Sequence, residues 1–260
     1  MSGAAPIPSV TVAQMREVDR LMTLEVGITL EQMMENAGRA LAEVARGALA
    51  DLAGRRVVVL AGPGGNGGGV LVAARRLTIW GAEVSVALTT DPAEMHAVPA
   101  HQLAIARRMG IPVAGPEDED AIRWLEGAAL ILDGIFGYSL AGAPRGRAAE
   151  LIRAANAAGA PIIALDVPSG LSPETGEASD PTIRATQTLT LALPKTGLLE
   201  PGAAQYVGRL LVADISVPPV VYERLGLAVG PLFATGDIVA VTGGAIVTSW
   251  SPPSNRSVDG

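Results

Sequence analysis

A chain of 260 residues, 49% hydrophobic and only 17% charged, carries enough apolar sequence for one sizeable α/β domain and too little charge for a disordered one. Its formal charge of −7, with no Lys/Arg cluster interleaved with aromatics, argues against a nucleic-acid partner. The absence of cysteine excludes disulfides and thiolate metal sites, and the two histidines, His96 and His101, read as exposed helix residues and leave little for a histidine-based site.

The N-terminus lacks a basic segment followed by an apolar one, and no run reaches the roughly 18 apolar residues of a membrane span, so a soluble cytoplasmic protein is expected. Residues 11–50 read as helix. Thr11 can cap a segment with Met15, Val18, Leu21 and Met22 at helical spacing, and Thr29 a second with Leu30, Met33, Met34 and Ala37 on one face. The methionines suit packing better than function, although Glu35 and Asn36 could reach a pocket.

From residue 56 short β-branched runs alternate with Ala-rich helical stretches. Strands are expected at 56–61, 83–89, 111–113, 130–133 and 161–166, with helices at about 67–80, 96–109, 118–126 and 147–158. Near-continuous apolar strands alternating with helices predict a parallel sheet covered on both faces, a doubly wound α/β fold. Two further runs, 186–193 and 209–212, should extend this sheet at one edge. After about Leu227 the pattern decays, and residues 228–260 read as a partly loose extension of a domain spanning 1–227.

Ligands of an open parallel sheet sit beyond the carboxyl ends of its strands. Four unusual stretches fall there: the Gly-rich loop "AGPGGNGGGV" (61–70), the segment from Asp133 to Gly142, "DVPSG" (166–170) and "LPKTG" (193–197). The loop can offer backbone N–H groups to an anion, yet it is neither a dinucleotide GxGxxG nor a P-loop, and a plain tight turn is the competing reading. Asp133 and Asp166 each end an apolar strand; either can be a turn-forming residue, but two such carboxylates suggest a joint site. Asn66, Asp133 and Ser169 together offer hard oxygen donors with one formal charge, which suits potassium or sodium better than a divalent ion. Lys195, the chain's lone lysine, can neutralise a ligand phosphate or be a surface lysine.

Taken in order, the segments "MREVDRL" (15–21), "MMENAG" (33–38), "GPGGNGG" (62–68), "DGIFG" (133–137), "DVPSGL" (166–171), "TLTLALPKTGLL" (188–199) and "YVGRLLVADISVP" (206–218) resemble the YjeF N-terminal domain family. Characterised members are NAD(P)H-hydrate epimerases, which interconvert the R and S forms of the hydrated nicotinamide cofactor so that a separate dehydratase can repair them. The resemblance implies a Rossmann-like α/β/α sandwich, commonly a homodimer, with one potassium ion per subunit on Asn66, Asp133 and Ser169. It implies substrate contacts from Gly65, Asn66, Gly67, Gly68 and Gly69, from Gly137, Tyr138, Ser139, Leu140, Ala141, Gly142 and Ala143, and from Asp166; Lys195 joins these as a candidate substrate contact on its own chemistry. The hydrated ring carbon changes hand by ring opening or by loss and return of hydroxide, and either route needs a group that moves protons and stabilises an iminium-like cation. Asp133 is expected in that role, with Asp166 as the second catalytic carboxylate holding the ribose or ring, and the proton-transfer and ion-binding roles can be exchanged between the two. The family loop usually reads G-P-G-N-N-G-G-D-G, whereas Gly65, Gly69 and Val70 stand here at its first Asn, its Asp and its last Gly. These losses leave open an isomerase or cyclase redirected to another small molecule, or a non-catalytic binding module. No dehydratase domain follows, so a stand-alone version is expected.

Overall fold

The computed structural model describes residues 7–49, 51–140 and 142–250, with backbone only for 246–249. Both N-terminal helices start at full capping boxes. Thr11 and Gln14 exchange side-chain and backbone hydrogen bonds at the start of α1 (Val12–Leu21), and Thr29 and Gln32 do the same for α2 (Leu30–Ala48). Between them, a wider turn over Met22–Val26 ends at Gly27, whose φ of 84° only glycine adopts without strain.

The alternating region follows as β1 (Arg56–Ala61), α3 (Gly65–Ile79), β2 (Glu83–Leu88), α4 (Ala97–Arg108), β3 (Val113–Ala114), α5 (Asp120–Leu125), β4 (Leu130–Gly134), α6 (Gly146–Ala157) and β5 (Ile162–Leu165). Then come β6 (Gln187–Leu191), α7 (Ala204–Val207), β7 (Arg209–Ala213), α8 (Pro219–Arg224), β8 (Ile238–Thr242) and β9 (Ala245–Ser249). The nine strands form one sheet in the order β3-β2-β1-β4-β5-β6-β7-β8-β9, parallel up to β7 and antiparallel thereafter.

Period-2 alternation along the buried strands feeds two cores. Val57, Val59, Leu132 and Ile163 pack with α2, α3 and α4 on one face, while Val58, Leu60, Ile131 and Ala164 pack with α5 and α6 on the other. This is the three-layer α/β/α arrangement expected of buried parallel strands. Two expectations are corrected. β6 and β7 do not lie at the sheet edge, because β8 and β9 pair beyond them. Those outer strands fall in the stretch read as an extension; one carries an irregularity between Ala240 and Val241, and the segment before them is interrupted by Gly226, Gly230, Pro231 and Gly236, which hid them. The terminal residues 251–260 lie outside the described ones.

The chain runs outward from β1 to β3 in one direction and from β4 to β9 in the other, so the topological switch lies between β1 and β4. There α2 crosses α3 closely, through Gly38. A Cβ at this position would sit 2.4 Å from Val72 Cβ and 2.5 Å from the Gly69 carbonyl oxygen. Alanine is intrinsically about 1 kcal/mol better than glycine within a helix, but overpacking costs about 1–3 kcal/mol, and here it strikes backbone. Gly38→Ala is therefore expected to lower the urea unfolding midpoint; a raised midpoint would show that the crossing has slack.

Candidate active site

A cavity of about 790 Å³ opens at the switch point, within the range of small-molecule sites. One wall is the start of α3. Gly64 precedes the helix without a side-chain cap, and Gly64, Gly65, Asn66 and Gly69 border the cavity. Gly67 and Gly68, also expected as substrate contacts, do not border it and sit in close packing instead. A Cβ at Gly67 would lie 1.9 Å from the Gly62 carbonyl oxygen, and one at Gly68 would lie 2.4 Å from Met34 Sδ. At Gly69 a Cβ would lie 2.7 Å from Leu165 Cδ2, so an apolar side chain crowds the place where the family loop carries Asp.

The Asn66 amide stitches two strand ends together. Its Nδ2 donates to the carbonyls of Phe136 (2.8 Å) and Leu165 (2.9 Å), just beyond β4 and at the end of β5. The Phe136 N–H donates to Ser169 Oγ at 3.0 Å, and Ser169 Oγ donates to Asp133 Oδ1 at 2.7 Å. Ser169 N–H also reaches Asp133 Oδ2 at 2.8 Å, and Ile135 N–H reaches Oδ1 at 3.2 Å. Asn66, Ser169 and Asp133 are thus linked through one turn. Asp133 is completely buried, does not border the cavity, and has no cationic side chain against it among the described residues. Burial pushes its carboxyl up to about 6, against the opposing pull of the Ser169 and Ile135 hydrogen bonds.

Asp166 stands differently. It lies on the cavity wall and holds a left-handed backbone, φ 66°, a conformation that costs a non-glycine residue of order 1–3 kcal/mol. Its Oδ2 accepts the Tyr138 N–H at 3.0 Å, and its Oδ1 accepts from the Lys195 ammonium and, at 3.4 Å, from Thr190 Oγ1. Lys195 is completely buried and also reaches Thr190 Oγ1 (3.3 Å) and the Leu191 carbonyl (3.0 Å). The surface reading of this lysine is corrected: its three protons all have internal acceptors, and its charge serves Asp166. Of the two candidate catalytic carboxylates, Asp133 is completely buried and does not border the cavity, whereas Asp166 stands on its wall.

The loop after β4 supplies Gly137, Tyr138, Ser139, Leu140, Gly142 and Ala143 to the cavity; Ala141 lies outside the described residues. Asp19 also borders it, and sequence reading missed this residue. The signal was present, since Asp19 follows the buried Met15 by four positions and so faces the same side of α1. Its Oδ2 accepts the Tyr138 hydroxyl at 2.5 Å, and burial raises its carboxyl above the ordinary range. His96 is exposed as expected, but it stands on the cavity wall together with Arg145. Asn36 turns away, donating to Ser216 Oγ, and Glu35 pairs with Arg75 and Arg76.

The Asp133 carboxyl holds its proton more tightly folded than in an unfolded chain, where it releases it near pH 3.9. Its contribution favours the folded state below about pH 4 and is lost as pH rises through about 6, a change of roughly 2–3 kcal/mol. In potassium-free buffer, urea unfolding of the parent is expected to lose stability across that window relative to Asp133→Asn. Equal pH slopes would contradict a sealed, unpaired carboxylate.

The model of the family described as YjeF-related protein N-terminus matches residues 30–197. A protein of Dehalogenimonas lykanthroporepellens named NAD(P)H-hydrate epimerase is 46% identical over 85% of this chain and 87% of its own. One of the same name from Rhodopirellula baltica is 36% identical over 84% of this chain and 88% of its own. A bifunctional NAD(P)H-hydrate repair enzyme of Moorella thermoacetica is 40% identical over 80% of this chain, which spans 40% of that longer protein. Among solved structures, the yeast protein YNL200c superposes with a TM-score of 0.77 at 25% identity, covering 90% of this chain and all of the yeast one. The chain belongs to the family of YjeF-related protein N-terminal domains.

Proposed function

We propose that this protein interconverts the R and S epimers of hydrated NADH and NADPH. The observation that carries the reading is Asp166, paired on the cavity wall with the buried Lys195 and aimed by the Tyr138 N–H, in a chain 46% identical to a relative named for this activity. Epimerisation needs a proton to move at the hydroxylated ring carbon and a cationic, iminium-like ring to be stabilised on the way. Asp166 can do both, since its carboxylate accepts a proton and its charge faces the cavity. Backbone N–H groups opening α3 suit a pyrophosphate, and Arg145 and His96 on the wall add positive or polar partners for it. Backbone donors of this kind stand in for the side chains missing at Gly65 and Gly69. The crowding of Gly69 by Leu165 favours one competing reading, the same scaffold turned to another small molecule.

Asn66, Asp133 and Ser169 would hold one potassium ion per subunit. The donor types fit a monovalent cation: the Ser169 hydroxyl lies against a fully buried carboxylate with no cationic side chain beside it among the described residues, and the Asn66 amide is tied to the same turn through Phe136. A bound ion supplies the charge that keeps Asp133 ionised. We further place the enzyme in the cytoplasm as a homodimer, with a separate dehydratase consuming its product. Exposed Leu24, Val26 and Leu30 give a second copy an apolar patch to cover. Among the described residues no helix is long and apolar enough to cross a membrane.

Incubating the protein with the pure R epimer of hydrated NADPH and resolving the epimers by chromatography is expected to give the S form faster than the spontaneous reaction. Asp166→Asn should lower kcat about 10²–10⁴-fold while leaving a cooperative melt. A folded parent with no turnover of either hydrate would contradict the reading and favour another substrate. Potassium should raise the melting temperature over choline, more at pH 8 than at pH 5, where protonated Asp133 no longer attracts it. Asp133→Asn should abolish that difference, and an undiminished potassium effect in the variant would place the ion elsewhere.

A further inference from the structure

We infer that Asp19 is a second catalytic carboxylate, the general acid that works across the cavity from Asp166; the inference rests on the epimerase reading above. Both residues border one cavity but come from unrelated elements, Asp19 from the second turn of α1 and Asp166 from the end of β5. Tyr138 measures the gap between them. Its N–H donates to Asp166 Oδ2 at 3.0 Å and its hydroxyl to Asp19 Oδ2 at 2.5 Å, so the two carboxylates stand about one tyrosine side chain apart. The position of α1 is fixed from the same place: Val10 and Lys195 form a parallel bridge, and Thr11 caps the helix immediately afterwards.

Two other proton carriers that border the cavity are committed. Lys195 spends its protons on Asp166, Thr190 and the Leu191 carbonyl. Tyr138 gives its proton to Asp19, and burial together with the Asp19 charge raises its hydroxyl well above the ordinary range. Asp19 keeps Oδ1 without a hydrogen bond among the described residues, in contrast to Asp166, both of whose oxygens are held by donors. The ionisable groups acting on Asp19 are Tyr138, Lys195 and Asp166, with Arg16 acting on Tyr138 from the same helix. Among the described residues Asp19 has no salt-bridge partner, whereas Asp166 has Lys195. Burial therefore favours its protonated form, while Asp166 is paired with Lys195, so the cavity holds two carboxylates in unlike surroundings, one suited to give a proton and one to take it.

The step this permits is inversion by exchange of hydroxyl across the ring. Protonated Asp19 gives its proton to the ring hydroxyl, the C–O bond breaks with its electron pair leaving on water, and the ring nitrogen lone pair forms the C=N bond of the iminium. A second water attacks the opposite face of that carbon. Asp166 takes the proton this water loses, and the C=N pair returns to nitrogen. One water enters, one leaves, and the carboxylates exchange roles for the reverse direction.

The test uses the full chain with hydrated NADPH in H₂¹⁸O, measuring epimerisation in both directions over pH 5–9. In the parent, ¹⁸O is expected to enter the ring hydroxyl at the rate of inversion, and kcat is expected to fall at high pH as the acid ionises. Asp19→Asn should lower kcat at least 100-fold with KM within about threefold and a melt close to the parent's. Tyr138→Phe removes the hydrogen bond that holds the Asp19 carboxyl down, so the alkaline limb of kcat should move to higher pH, which loss of packing alone would not produce. An active parent whose Asp19→Asn variant keeps kcat within threefold, or whose Tyr138→Phe variant keeps the alkaline limb in place, overturns the role of Asp19 while the epimerase reading stands. Inversion with the original oxygen retained overturns the exchange step. A folded parent inactive on the hydrate overturns both proposals together.

Discussion

The buried ion pair of Lys195 with Asp166 sets constraints that run through the whole site. Lys195 is completely buried, and an ammonium taken out of water is tolerated only when paired and hydrogen-bonded. Its partners come from Asp166 beyond β5, Thr190 and Leu191 on β6, and its own loop is bridged to Val10 ahead of α1. Removing either charge would leave the other stranded, at a cost of about 3–5 kcal/mol. Three separate segments are therefore fixed around one charge, and each brings a side of the cavity with it. The left-handed backbone of Asp166 fits this account, since a strained conformation persists where the surroundings over-determine it.

Two aspartates at the ends of neighbouring strands receive opposite environments. Asp133 ends β4 beneath a cap of N–H and hydroxyl donors and reaches no solvent-filled space. Asp166 follows β5, with a lysine behind it and the cavity in front. The division of labour we propose rests on this packing: a sealed carboxylate suits a resident cation, and an open, ion-paired one suits chemistry. The Gly-rich loop serves both, because Asn66 ties the two strand ends together while Gly67 and Gly68 let α3 approach them closely.

Much of this was legible in the sequence because local rules and tertiary structure agree. Buried parallel strands are continuous apolar runs, so β1, β2, β4 and β5 fall where periodicity places them, and the capping Thr11 and Thr29 mark their helices by side-chain chemistry alone. What was hidden depends on partners distant in sequence. A lysine reads as exposed until its carboxylate, 29 residues away, is brought beside it. Asp19 looks like one more charge on a polar helix face until a tyrosine 119 positions on donates to it. β8 and β9 follow a stretch without clear periodicity and pair with a register shift, and they are strands because β7 gives them an edge to pair with.

The most direct test of the account is a crystal structure of the protein grown in potassium with a hydrated nicotinamide dinucleotide bound. The account predicts the hydrated ring seated against the Asp166 carboxylate, with Lys195 still paired behind it and a cation at Asp133 rather than substrate. A ring bound away from Asp166, or a dinucleotide lying outside the cavity, would contradict it.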